Sequence, residues 1–216
     1  MINKYKVTFL LDKSNLWFEK QLKSYDFRLK NKYIFKISKN PNNIKNQNIV
    51  FLLSNLKILP DDIIKKNKLV LVPHSSKLPK DKGFAPVSYQ ILKNKNKIYF
   101  SLIKAVKKPD SGPIFFQSFF LLKGTELIDE IRFLSFSQDL KMIKKFLIKY
   151  PNVKSKKQIL KGNFNKRRYP KDSLLDIDKT IKQQFNHLRI NDNELCPSFF
   201  YYKSHKYIIK IFKEKK

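Results

Sequence analysis

The chain is short of several residue types, and each shortage narrows what it can be. Among 216 residues it has four glycines, three histidines, one tryptophan and one cysteine. A lone Cys196 excludes an internal disulfide framework and a cysteine-based metal cluster. It reads as a small buried residue and fits a reducing cytosol. No run of about 18 apolar residues occurs, so no membrane span is expected. Met1-Ile2-Asn3-Lys4-Tyr5-Lys6-Val7 lacks an apolar signal core, and a cytoplasmic location is expected. Neither Gly-x-x-x-x-Gly-Lys-Ser/Thr nor Gly-x-Gly-x-x-Gly is present, which argues against a P-loop nucleotide site or a dinucleotide cofactor. Gly-x-Ser-x-Gly is absent too, so a serine-hydrolase triad has no support. No Cys/His grouping has zinc spacing, and no metal is expected.

What is present is apolar, aromatic and basic. Apolar residues make up 42%, with 19 Phe and 10 Tyr, a composition that folds. The length suits one good core and a small appendage. Lys and Arg number 47 against 17 Asp and Glu, a formal charge of +30. Such a field would attract nucleic acid or another anion. Lys is spread everywhere and far outnumbers Arg, the better bidentate phosphate reader. Compositional bias toward Lys and Asn is therefore the main reading, with anionic substrates or RNA as the alternative.

The apolar pattern predicts strands at Tyr5–Leu11, Tyr33–Ile37, Ile49–Leu53 and Leu69–Val72. Ser14 can cap a helix carrying Leu16, Trp17 and Leu22. A short helix starts at Pro60-Asp61-Asp62, and another opens at Pro86. Lys97–Ala105 and Ile114–Leu122 read as further strands. Thr125–Tyr150 is the clearest helix, ended by Pro151. Strands alternating with helices predict an α/β fold with a Rossmann-like, mostly parallel sheet and helices on both faces. This catalytic unit is read over residues 1–151. Residues 152–216 read as a small C-terminal α+β subdomain: a basic linker, a helix capped by Asp178, and a hairpin of Phe199–Tyr202 with Lys206–Phe212.

In parallel sheets of this kind, ligands bind outside the carboxyl ends of the strands. His74 falls just past such an end. It is the only histidine before His187, and the window from His74 to Pro113 also holds Gly83 and Gly112. A chain this poor in glycine keeps it mostly where the backbone needs it. Asp110, in Lys108-Pro109-Asp110-Ser111-Gly112-Pro113, could pair with His74 as a minimal acid–base couple. From composition and spacing alone, a structural His74 is the better reading. His187 and His205 read as structural or solvated.

The motifs add to this. Leu59-Pro60, His74-Ser75-Ser76-Lys77-Leu78-Pro79, Gly83, Pro86 and Asp110-Ser111-Gly112 resemble the folate-dependent formyltransferase family, over roughly residues 50–125. Arg167-Arg168-Tyr169-Pro170, Gln184–Arg189 and Asp192–Phe200 look like a short branch of that family acting on amino sugars. The resemblance implies the formyltransferase fold and transfer of a formyl group from 10-formyltetrahydrofolate to a primary amine. It implies that His74 stabilises the oxyanion and helps move protons, and that Asp110 positions His74 or a catalytic water and helps take the amine's proton. Ser76, Leu78, Pro79, Lys80 and Gly83 would form the loop beside the folate. Phe84 would line the substrate mouth, or pack in the core. Arg167, Arg168, Arg189 and Asn193 would bind the acceptor's phosphates, or form a solvated basic face or internal ion pairs. The expected partners are folate and a sugar nucleotide, with tRNA and a second copy of the chain as further candidates.

One position departs from the family. The family usually has Asn two residues before the histidine, and here that position is Val72. Val72 donates no hydrogen bond, so backbone N–H groups, Ser75 or Ser76 would have to replace it. Two alternatives to sugar formylation stay open. One is methionyl-tRNA formylation, although the stretch after Tyr150 is short for that branch's linker and barrel. The other is a catalytically weak or inactive scaffold that binds anions or RNA.

Overall fold

The computed structural model describes residues 4–13, 16–53, 58–159 and 161–214. Ser14, expected to cap the first helix, lies outside them. In chain order the regular elements are β1 (Tyr5–Leu11), α1 (Leu16–Ser24), β2 (Tyr33–Ser38), β3 (Ile49–Leu53), α2 (Asp61–Lys65) and β4 (Val70–His74). There follow β5 (Lys82–Gly83), α3 (Pro86–Leu92), β6 (Lys97–Lys104), β7 (Ile114–Leu121), α4 (Ile128–Lys149) and β8 (Phe164–Asn165). The last are α5 (Ile181–Arg189), β9 (Ser198–Tyr202) and β10 (His205–Ile209).

Six strands form the main sheet in the order β2-β1-β3-β4-β6-β7. The first four run parallel, whereas β6 pairs antiparallel with both β4 and β7. The sheet is mostly parallel, as expected, and period-2 alternation, which marks β6 as a strand, is silent on the antiparallel direction it takes. The short connection over residues 105–113 explains the antiparallel β6–β7 pair, since a parallel pair needs a long crossover, whereas β4 and β6 are joined through β5 and α3.

Alternation splits the sheet residues between two cores. Val7, Phe9, Phe51, Leu71, Phe100 and Leu102 pack with Leu22 of α1, Ile91 of α3 and Phe136, Leu140, Ile143, Phe146 and Leu147 of α4. Leu10, Val50, Leu52 and Val70 face the other way, onto Ile63 of α2, Ile44, Leu59 and Ala105. Helices thus cover both faces, with the larger core under α4. Burying one such aliphatic or aromatic side chain contributes about 1.5–3 kcal/mol. Among the described residues, no helix is long and apolar enough to cross a membrane.

After Pro151 the chain returns to the sheet. Ile114 and Lys156 exchange backbone hydrogen bonds of 2.8 Å each way, and β8 pairs parallel with β5. The C-terminal helix α5 is capped by Thr180, whose Oγ1 accepts from the Gln183 N–H at 3.2 Å. Asp178 was the expected cap; the Thr180–Gln183 capping box lies closer to the first helical turn and wins. The hairpin β9–β10 forms with Ser198 opposite Ile209.

Candidate active site

His74 is the last residue of β4, not the first beyond it, and it is 7% exposed. Its Nδ1 lies 3.4 Å from Asp110 Oδ1, and its Nε2 lies 3.1 Å from the Asp81 carbonyl oxygen. Both partners are acceptors, so only a ring protonated on both nitrogens donates to both at once. The expected pairing of His74 with Asp110 is present in the geometry.

Asp110 is held from three directions. Its Oδ2 accepts the Gly83 N–H at 2.8 Å. Its carbonyl accepts from Gln158 Nε2 at 3.0 Å, and the same amide reaches the Gly112 carbonyl at 2.7 Å. Its own backbone is left-handed, φ 52°. Gly112 allows this turn because a Cβ there would sit 1.7 Å from the Lys104 carbonyl oxygen. Gly83 has φ +89°, and a Cβ on it would lie 2.5 Å from the Asn165 oxygen. Asp81 and Ala85 are also left-handed, at φ 55° and 45°. Such conformations cost energy for non-glycine residues and cluster where a site constrains the chain.

Asp81 braces the other side of His74. Its carboxylate is bonded by Lys93 Nζ and by Asn163 Nδ2, and its N–H donates to Asn163 Oδ1 at 2.8 Å. Burial pushes its carboxyl up, but the Lys93 and Asn163 hydrogen bonds outweigh this and hold it below the usual carboxylate range.

These groups border a cavity of about 340 Å³. Leu52, Ile58, Leu59, Ile64, Val72, Ile103, Ala105 and Val106 supply an apolar wall. Phe84 and Phe164 add aromatic rings, and His74, Ser75, Lys104, Asp110 and Asp139 supply the polar side chains. Val72 shares the cavity with His74, two residues along one strand face, and offers it no donor.

The remaining expected site residues fare differently. Gly83 and Phe84 border the cavity, and the Arg167 guanidinium lies 5.9 Å from the Phe84 ring. Ser76, Leu78, Pro79 and Lys80 do not line it. Ser76 is fully buried, donating to the Lys80 carbonyl at 2.8 Å and accepting Ser101 Oγ on its own carbonyl. The Leu78 carbonyl accepts from Gln117 Nε2 at 2.9 Å. These contacts make the segment a brace behind the cavity. Arg168 donates to the Asp172 carbonyl at 2.9 Å, which fixes the turn below α5. Arg189 is 1% exposed, between Asn186 Oδ1, Glu126 Oε2 and Asn96 Oδ1 at 2.8, 3.5 and 3.3 Å. Asn193 clamps the Ile211 backbone through both amide atoms. None of these three borders the cavity; Arg189 takes the internal ion pair, the reading that was open beside phosphate binding.

Sequence reasoning missed Asp81, Gln158, Asn163 and Asp139. Only Asp139 had a local signal: an acid on the apolar stripe of α4, between Phe136 and Ile143.

No family model matches the chain. It is 34% identical over 142 residues to the methionyl-tRNA formyltransferase of Fusobacterium nucleatum subsp. nucleatum, covering 62% of this chain and 44% of that protein. The chain thus spans less than half the length of this curated relative. Its fold matches the methionyl-tRNA formyltransferase from Clostridium thermocellum with a TM-score of 0.79 at 23% identity, over 94% of this chain and 90% of that one. A sugar N-formyltransferase from Shewanella sp FDAARGOS_354 matches with a TM-score of 0.74 at 15% identity, over 98% and 99%. HypX from Aquifex aeolicus, solved with tetrahydrofolic acid, matches with a TM-score of 0.68 at 12% identity, over 94% and 37%. The sequence likeness thus reaches a methionyl-tRNA formyltransferase over part of its length, and the fold is the one shared by these formyltransferase structures.

Proposed function

We propose that the chain transfers a formyl group from 10-formyltetrahydrofolate to a primary amine. The observation that carries this is the braced His74–Asp110 pair, at the carboxyl end of β4 in the wall of a half-apolar cavity. The folate complex of HypX, on the same fold, supports the cosubstrate. A flat pterin fits the wall of Leu52, Ile58, Leu59, Ile64 and Val72, which gives it apolar contact without polar competition.

The amine lone pair attacks the formyl carbon, and negative charge develops on the formyl oxygen. His74, bridged to two acceptors, presents positive charge to that oxygen when doubly protonated. Asp110 is a positioning group here, since its two oxygens hold His74 and Gly83. Preorganised charge of this kind contributes more than any other single effect in many enzymes, because it needs no rearrangement during reaction.

The acceptor in this proposal is a nucleotide-linked amino sugar. The near end-to-end coverage of the Shewanella sugar enzyme supports it. Methionyl-tRNA is the second reading, favoured by the 34% identity to the Fusobacterium relative and by the charge of +30.

The test mixes purified protein and 10-formyltetrahydrofolate with either acceptor class, following tetrahydrofolate release and the formylated product. His74→Ala is expected to lower turnover by roughly 10²–10³-fold, as removal of an oxyanion partner does elsewhere. Formylation of methionyl-tRNA alone would move the acceptor to the second reading. Absence of folate-dependent transfer to any amine would leave the inactive-scaffold alternative.

A further inference from the structure

Asp139 is the acidic group of the cavity that the proposed reaction leaves unused. It projects from α4, packed over one face of the sheet, into a cavity whose apolar wall belongs to the other face. It is 8% exposed, and its Oδ1 is buried with no hydrogen-bond partner among the described residues. A buried polar atom left unpartnered costs about 1–3 kcal/mol, so a ligand that completes it binds with that gain. The two carboxyls of the cavity are therefore opposites. Asp110 has protein groups against both oxygens, whereas Asp139 lines the cavity with one buried oxygen that has no partner among the described residues.

We infer that Asp139 binds the acceptor's primary amine and takes the proton the amine must lose before it attacks. The inference rests on the formyl-transfer reading above. Chemical complementarity supports it: an ammonium group brings positive charge and three N–H donors to a carboxyl with a vacant oxygen. Burial pushes the Asp139 carboxyl up to about 8. The other ionisable side chains in the cavity are His74, Lys104 and Asp110, and burial alone accounts for the shift. A carboxyl at its ordinary value would leave an ammonium protonated, whereas this one lies close to an α-amino group, at about 8.

The step balances. An N–H bond of the ammonium breaks, and its proton forms an O–H bond on the ionised Asp139. The freed lone pair forms the bond to the formyl carbon. Collapse of the adduct breaks the bond from that carbon to N10 of the folate, and N10 takes the second proton lost by the amine. Asp139 then returns its proton to solvent.

The test titrates protein carrying ¹³C-labelled aspartate carboxyls, alone and with methylammonium or tetramethylammonium chloride. A carboxyl resonance titrating near the raised value is expected, absent in Asp139→Asn. Methylammonium should lower its midpoint by about a unit, and tetramethylammonium, which has no N–H, should not. A midpoint unmoved by methylammonium, or moved equally by both cations, overturns the inference. In formyl-transfer assays Asp139→Asn should raise KM for the amine by roughly tenfold or more, as loss of a buried charge partner does, with KM for the folate unchanged. An equal rise in both would also overturn it. Failure of the wild-type protein to turn over any amine sinks the formyl-transfer reading instead, and the methylammonium titration then judges Asp139 on its own.

Discussion

At the scale of single residues, the chain places strain and unsatisfied polarity around one cavity. Asp139 has a stability signature that needs no substrate. Its carboxyl stays protonated in the folded chain up to about pH 8, whereas the unfolded chain ionises it near 4. Between these values the folded state holds a proton the unfolded state does not, so stability falls as pH rises through that window and levels off above it. Asp139→Asn removes this dependence. The variant's advantage in chemical denaturation should grow from acid to mildly alkaline pH by an amount on the order of a few kcal/mol. A constant difference across that range would show that Asp139 is ionised in the folded protein. Gly112 makes the opposite prediction. A methyl group 1.7 Å from the Lys104 carbonyl oxygen forces the backbone apart. Gly112→Ala should cost more than about 3 kcal/mol, read from the unfolding midpoint.

At the scale of elements, a short stretch of irregular chain holds the site. Gln158, Asn163 and β8 reach back from beyond Pro151 to fix Asp110, Asp81 and Gly83. Gln158→Leu leaves the carbonyls of Asp110 and Gly112 without this donor. It is expected to lower kcat by roughly tenfold or more, since small misplacements of reacting groups are costly, while circular dichroism shows the sheet intact. Retention of full activity would show that the turn holds Asp110 unaided. This layer was not legible in the sequence. β5 and β8 have two residues each and carry no periodicity. Gln158 and Asn163 sit in a basic, polar stretch that reads as linker. Long strands and helices fared better, because β1, β3 and α4 bury apolar residues at regular spacing over many positions. Arg189 was left between readings for another reason: nothing local distinguishes an arginine buried against Glu126, Asn186 and Asn96 from one on a basic face.

At the scale of the whole molecule, the charge of +30 separates the two acceptor readings. A sugar nucleotide neutralises few cations, so KM for it should change by no more than about threefold from low to physiological salt. A tRNA acceptor releases many counterions, and its binding should weaken by roughly 10³-fold or more over the same range. Steady-state assays at several salt concentrations separate these outcomes.

The sequence alone determined the alternation of strands and helices, the position of His74 at a strand end and the glycines that flank the turn at Asp110. Each depends on local periodicity or on a backbone constraint carried by one residue. The tertiary structure decided which polar side chains meet. It turned Arg189 and Ser76 inward as braces and brought Asp81 and Gln158 to the His74–Asp110 pair. It also set Asp139 in the cavity lining with a buried oxygen that has no partner among the described residues. Those outcomes depend on contacts between residues far apart in the chain, where burial and hydrogen bonding, not spacing, set the role of a charge.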